Sequence, residues 1–237
     1  MPKHGKNCLS NRAQVDRLRA YPPREAVELV RELSFAKFDE TVELHMNMNL
    51  DPRRADQQVR GVARLPAGTG QRERIMVFAE GEAARLAEEA GADHVGVDEY
   101  VSKIQEGWLE FDVAVAIPQV MGKIGRLGRI LGPRGLMPSP KAGTIVQPQD
   151  LADTIREFRL GRVQFRLDRG ANLHIPIGKV SFETEQLMDN WAAVMEAVLR
   201  NRPAVAKGAY IRRITLTTTM GPGVRVEVLA ALDMRAA

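Results

Sequence analysis

The 237-residue sequence is poor in the residues most reactions need, with one cysteine, four histidines and only 5% aromatic residues. The lone cysteine, Cys8, rules out an internal disulfide or a cysteine-based metal site and suits a reducing compartment. His4, His45, His94 and His174 share no metal-ligand spacing, and no His-Glu-x-x-His occurs, so each reads as structural or exposed. There is no Gly-x-Ser-x-Gly elbow and no Walker lysine loop. No apolar run approaches the ~20 residues that cross a bilayer. The start, Met1-Pro-Lys-His-Gly-Lys-Asn-Cys8, lacks the apolar core of a signal peptide. These absences lead to the expectation of a cytoplasmic, non-catalytic protein with no cofactor, no metal and no membrane partner. With 44% hydrophobic and 27% charged residues, the composition also excludes collagenous and disordered classes.

The net charge of +4 hides an uneven distribution. Residues 67–159 hold 11 basic and 14 acidic groups, while the rest of the chain holds 23 and 16. An acidic middle thus interrupts a basic outside, as expected if the two flanks form one body that attracts phosphate.

The hydrophobic pattern divides at the same places. After Pro22-Pro23, residues 24–35 repeat their apolar positions at helical spacing. Val42, Leu44, Met46, Met48 and Leu50 then alternate with Thr41, Glu43, His45, Asn47 and Asn49, which predicts a strand buried on one face. Asp51-Pro-Arg-Arg54 reads as a turn and residues 67–71 as a hinge. Between residues 74 and 117 short apolar strands alternate with helices at 82–90 and 99–109, predicting βαβ crossovers. The outer pattern resumes with strands at 163–167 and 174–177, a long helix over 183–199, and strands at 211–220 and 224–228. Residues 229–237 read as unstructured. Neither flank has strands enough for a stable sheet, so the two are expected to fold together. The fold class is therefore α/β in two domains. One, residues 1–66 and 160–237, is discontinuous α+β with an antiparallel, split β-α-β-like sheet; residues 67–159 form an inserted Rossmann-like three-layer domain.

The glycine-rich run after the strand at 111–117 invites a dinucleotide-binding reading, but Gly122, Gly125 and Gly128 have the wrong spacing, and residues 113–149 contain no Asp or Glu. Lys123, Arg126, Arg129, Arg134 and Lys141 make it instead a basic, backbone-exposing loop suited to phosphates, a secondary RNA or tRNA contact, against the plainer reading of a solvated loop.

Three places on the outer body suit RNA. Lys37, Phe38, Thr41 and Glu43 set a cation, a ring, a hydroxyl and a carboxylate where helix gives way to strand, and such a carboxylate is useful as an acceptor for a base amino group or a 2′-hydroxyl. The competing reading makes Phe38 core and Glu43 a surface charge. Arg166, Asp168 and Arg169 end a strand with two guanidiniums, or form an ordinary charged turn. Thr219, Met220 and Gly221, following Thr217 and Thr218, offer hydroxyls, a thioether and bare backbone to a shallow minor groove, or merely a bulged strand end.

Seven segments in order resemble the ribosomal protein L-one family of the large subunit, in its bacterial form. They are Ala36-Lys-Phe-Asp-Glu-Thr-Val-Glu43, Asp51-Pro-Arg-Arg54, Asp56-Gln-Gln-Val-Arg-Gly61, Glu89-Ala-Gly-Ala-Asp93, Gly128-Arg-Ile-Leu-Gly-Pro-Arg-Gly-Leu-Met-Pro138, Pro140-Lys-Ala-Gly-Thr144 and Thr218-Thr-Met-Gly221. The resemblance implies a split RNA-binding domain with a Rossmann-like insert, monomeric when free and mounted in the large ribosomal subunit. It implies binding to the stalk segment of large-subunit ribosomal RNA, a role in releasing exit-site tRNA, and repression of the protein's own mRNA leader. The RNA-contacting positions it implies are Lys37, Phe38, Thr41, Glu43, Arg166, Asp168, Arg169, Thr219, Met220 and Gly221.

The chain departs from the family pattern at Asn47 and Asn49, where a lysine and a glycine are usual, at Arg213, where some members have a small polar residue, and around Gly170. The rival expectation is an enzyme with a Rossmann-like nucleotide domain and a lid built from the chain ends. A third reading makes mRNA repression the main task.

Overall fold

The computed structural model describes residues 5–140, 143–206 and 208–234. It divides into two compact units, Met1–Gly70 with Gly161–Ala237, and Gln71–Leu160.

The first unit is built on β1 (Thr41–Met48), whose inward residues Val42, Leu44, Met46 and Met48 are buried as the period-two pattern requires. It pairs antiparallel with β7 (Asn172–Lys179) and β8 (Ile211–Thr218), and β9 (Val224–Val226) extends the sheet in the order β7-β1-β8-β9. β7 and β8 therefore run parallel on either side of β1. They are joined by α8 (Thr184–Arg200), a β-α-β crossover with an antiparallel strand in its middle. α8 and α2 (Pro23–Glu32) bury one sheet face: Val27 and Val30 share one core with Trp191, Val194 and Met195. The other face carries Thr41, Glu43, His45 and Asn47. A separate ribbon pairs β2 (Arg60–Arg64) with β6 (Arg162–Arg166).

Of residues 67–71, read from sequence as a hinge, the first four belong to this unit. The buried Asn190 accepts from the Ala67 N–H at 2.9 Å and donates to the carbonyls of Gly68 at 2.9 Å and Ile177 at 2.7 Å. Beside them Gly161 has φ +105°, and a Cβ there would meet the Gly68 Cα at 2.5 Å. Gly161→Ala is expected to cost about 2–3 kcal/mol, combining left-handed strain with backbone overlap, read as a lower urea midpoint at unchanged slope.

In the second unit β3 (Ile75–Phe78) is the middle of three parallel strands, flanked by β4 (His94–Val95) and β5 (Val113–Ala116). α3 (Glu82–Glu89) packs on α7 (Leu151–Arg159), and α4 (Asp98–Gln105) packs on the segment that follows β5. That segment corrects the sequence reading. Residues 118–131 are not a backbone-exposing loop but successive helical turns, including α5 (Met121–Ile124) and α6 (Gly128–Leu131). Val120, Ile124, Leu127 and Leu131 recur at intervals of four, three and four and are all buried, so packing of this stripe overrides the poor helix propensity of the glycines.

Other expectations shift for local reasons. α4 stops at Gln105, not residue 109, because the chain turns back, with Trp108 N–H bonded to the Lys103 carbonyl at 3.0 Å. The last residues are not wholly unstructured: α9 (Val228–Leu232) forms and buries Ala231 in the first unit's core, which also ends β9 at Val226. α1 (Lys6–Gln14), β2 and α7 have no counterpart in the sequence reading.

Candidate nucleic-acid interface

Period two, continued backward from Val42, turns Glu40 inward, and its side chain is fully buried. One oxygen accepts from the Ser34 hydroxyl at 2.8 Å and the backbone N–H groups of Phe35 at 3.2 Å and Ala36 at 2.9 Å. The other accepts from the Met220 N–H at 2.9 Å. Burial alone would raise this carboxyl, but hydrogen bonds from Met220, Thr218, Ala36 and Ser34 outweigh it and hold the pKa down at about 2. These bonds also explain why α2 ends at Glu32 rather than residue 35: the backbone of residues 35 and 36 turns to the carboxylate instead of continuing the helix.

Glu40 thereby ties together two loops far apart in sequence. Thr219 adds a second clip, its hydroxyl accepting from the Thr41 N–H at 3.0 Å. The Thr41 hydroxyl in turn accepts from the largely buried Lys179 ammonium at 2.8 Å. The Thr218 hydroxyl accepts from the Gly221 N–H at 3.1 Å, and a Cβ on Gly221 would come within 2.3 Å of that hydroxyl, so only glycine fits this turn. What the clips leave outward is Lys37, Phe38 at 55% exposure and Met220 at 52%. Phe38 is therefore not core. Two large apolar groups and one ammonium stand in solvent around a bare backbone turn.

The outward sheet face links this patch to the next. His45 lies opposite His174 in the β1–β7 register, with their Nδ1 atoms 2.7 Å apart. Glu43 sits 3.6 Å from His45 Nε2, and Asp168 sits 3.3 Å from His174 Nε2. Partial burial and the neighbouring His174 push His45 toward its neutral form, with Glu43 opposing. Asp168 is occupied by its own turn, accepting from the N–H groups of Gly170 at 2.8 Å and Asn172 at 2.6 Å. Burial works against its ionisation, but these bonds keep its pKa low. The carboxylate therefore shapes the turn, leaving Arg166 and Arg169 exposed. Arg166 lies directly across the ribbon from Arg60, a pair of like charges that an anion would relieve.

Sequence reasoning named neither Glu40, Thr218 and Lys179 as organisers nor Arg60. The signal for Glu40 was present, since residue 40 has the parity of the buried positions of β1.

In the second unit the basic residues separate. Lys123 is bound by Glu80 and Asp98, so it is an internal ion pair rather than an open cation. Arg126, Arg129 and Arg134 are exposed with no carboxylate partner among the described residues. Lys141 lies outside the described residues. Among the described residues no group of three His, Cys, Asp or Glu is placed to hold a metal ion, and no helix is long and apolar enough to cross a membrane.

Polar groups are thus spent on shaping loops, and apolar and cationic groups are left outward. The chain belongs to the Ribosomal protein L1p/L10e family, whose sequence profile matches residues 30–222. It is 55% identical over 236 residues to the large ribosomal subunit protein uL1 of Chloroflexus aggregans, covering 99% of this chain and 100% of that one. It is 54% identical over 237 residues to the protein of the same name in Chloroflexus aurantiacus, covering all of both chains. A third relative of that name, from Thermomicrobium roseum, is 52% identical over 234 residues, or 98% of this chain and 97% of the other. Membership of a ribosomal-protein family decides against the enzyme reading: the protein is not an enzyme.

Proposed function

We propose that this protein is a structural constituent of the large ribosomal subunit in the cytoplasm, and that its first unit binds the stalk segment of large-subunit ribosomal RNA. The observation that carries the reading is the Glu40 clip. It holds Lys37 and Phe38 beside Met220 and Gly221, so that two exposed apolar side chains and a cation flank a bare backbone turn able to approach a wide, shallow RNA minor groove. Glu43, on the outward face of β1, serves as an acceptor for a base amino group or 2′-hydroxyl, and Arg166 and Arg169 neutralise phosphates. The relatives' names, each a large-ribosomal-subunit protein, support the assignment.

The second unit's Arg126, Arg129 and Arg134 are assigned to a contact with exit-site tRNA as it is released. Repression of the protein's own mRNA follows if its leader presents the same groove, because both RNAs would then compete for one surface.

The test is a gel shift with the stalk RNA against an unrelated hairpin at several salt concentrations. Three phosphate contacts at about 0.7–0.9 each give a log–log salt slope of at least about 2, with clear preference for the stalk RNA. A salt-independent affinity, or no preference over the hairpin, would contradict the reading.

A further inference from the structure

Beside the loop that carries Met220 lies an open groove of about 550 Å³, bounded by α1 on one side and the outward face of β8 and β9 on the other. Four guanidiniums line it: Arg12 from α1, Arg17 just beyond it, Arg213 from β8 and Arg225 from β9. They come from three separate stretches of sequence, and none pairs with a carboxylate among the described residues. In the β8–β9 register Arg225 faces Thr215, so Arg213 lies diagonally across from it, about 7 Å away at the Cβ level. Gathering like charges on one wall costs free energy in the free protein, and no acidic side chain lines the groove to offset it. The compensating anion comes from outside.

We infer that this groove carries a stretch of RNA sugar–phosphate backbone, extending the interface proposed above from the Met220 loop across β8 and β9 to α1. Three features favour RNA over a small anion. The volume far exceeds one phosphate. The groove is continuous with the proposed interface, because Gly221 lines it and its neighbours Thr219 and Met220 line the adjoining hollow. The stretch Gly221-Pro222-Gly223, which lines the groove next to Thr219 and Met220 in sequence, has no long side chain to block a strand passing from one hollow to the next. Arg213 and Arg225 then grip adjoining phosphates from the sheet while Arg12 from α1 and Arg17 from the segment after it close on them. The inference rests on the RNA reading but adds four phosphate contacts to it, which raises the expected salt slope from about 2–3 to about 5–6.

Cys8 provides an internal reporter. It is the sole cysteine, partly exposed, and it lines both hollows. The experiment uses the full chain with stalk RNA and compares wild type with Arg12→Gln/Arg225→Gln. The control, Arg85→Gln/Arg156→Gln, removes the same charge from exposed sites in the second unit. The groove variant is expected to lose about 1.4–1.8 from the salt slope and to bind tenfold or more weakly at 0.1 M salt, the control remaining near wild type. RNA is expected to slow maleimide labelling of Cys8 several-fold. Wild-type slope in the groove variant, with Cys8 labelled equally fast with and without RNA, would overturn the groove while leaving the Met220 interface standing. Equal weakening of the groove and control variants would also overturn it, reducing the effect to net charge. Preferential capture of an acidic peptide over RNA at the groove would overturn it in favour of a protein partner. No preference of wild type for stalk RNA would remove the underlying reading as well.

Discussion

Glu40→Ala is expected to lower the stability of the first unit by about 3–4 kcal/mol, and to reduce RNA affinity even at temperatures where the variant remains folded. The cost follows from what the carboxylate holds. Its removal strands partly buried donors from Ser34, Ala36 and Met220, and each unsatisfied donor costs about 1–3 kcal/mol before water or relaxation recovers part of it. Urea denaturation reads the first effect, and a gel shift well below the melting temperature reads the second. A variant with wild-type midpoint and affinity would show that the two loops dock without the clip. Glu40→Gln separates charge from shape, since it retains one acceptor oxygen and most of the volume.

The same group sets an acid limb. Its folded pKa, about 2, lies below the ordinary 4.5, so its contribution is complete above about pH 5 and is lost as pH falls toward 2. The difference corresponds to about 3 kcal/mol. Asp168, also held low, adds to that limb, so the informative quantity is the flattening in Glu40→Gln relative to wild type. Glu73 in the second unit has the opposite sign. Burial and the nearby Asp112 raise it to about 7, so the second unit gains stability as pH drops from about 7 toward the unfolded value of 4.5. The second unit also has an acid limb of its own, since hydrogen bonds from the Ile75 N–H and Arg159 outweigh burial at Asp93 and the Arg74 guanidinium holds Asp112 low, so the Glu73 effect is read as a gain between about pH 7 and 4.5.

Met220→Asp is expected to weaken RNA binding about 100-fold, near 2.7 kcal/mol, with the fold intact. The side chain is half exposed, and its structural tie to Glu40 runs through the backbone N–H, which any residue supplies. A surface substitution of this kind changes stability by about 0.5 kcal/mol or less. What changes is the partner's side: an adaptable thioether becomes an anion facing phosphates. Met220→Leu keeps the apolar contact and should stay within a few-fold of wild type. Thr219→Ala loses the clip to the Thr41 N–H and is expected to cost about 1 kcal/mol in stability as well as affinity. Full affinity in Met220→Asp would place the RNA on another surface of the protein.

The elements that could be read from sequence are those whose evidence is periodic and local. Residues 41–50 alternate through β1 and just past its end, α2 and α8 repeat at helical spacing, and the short strands of the second unit are bounded by turn residues. Segment resemblance proposes residues for an interface but not their division of labour. Asp168, a contact by resemblance, also organises its own turn. Lys123 looked like an open cation and is held by two carboxylates. Glu40 shares the parity of Val42, yet a carboxylate is not expected to point into a core until its donors are known.

Sequence alone thus determined the strand periods, the acidic insert between basic flanks, and the chemistry available at residues 37–43 and 219–221. Tertiary structure alone decided that Glu40 meets Met220 across 180 positions, that His45 faces His174, and that four arginines share one groove. It also decided that a glycine-rich run is helical. The physical reason is one of range. Periodicity reports only which way successive side chains point from one backbone. Whether a carboxylate is satisfied, a cation is paired or a glycine is tolerated in a helix depends on neighbours that folding brings from elsewhere in the chain.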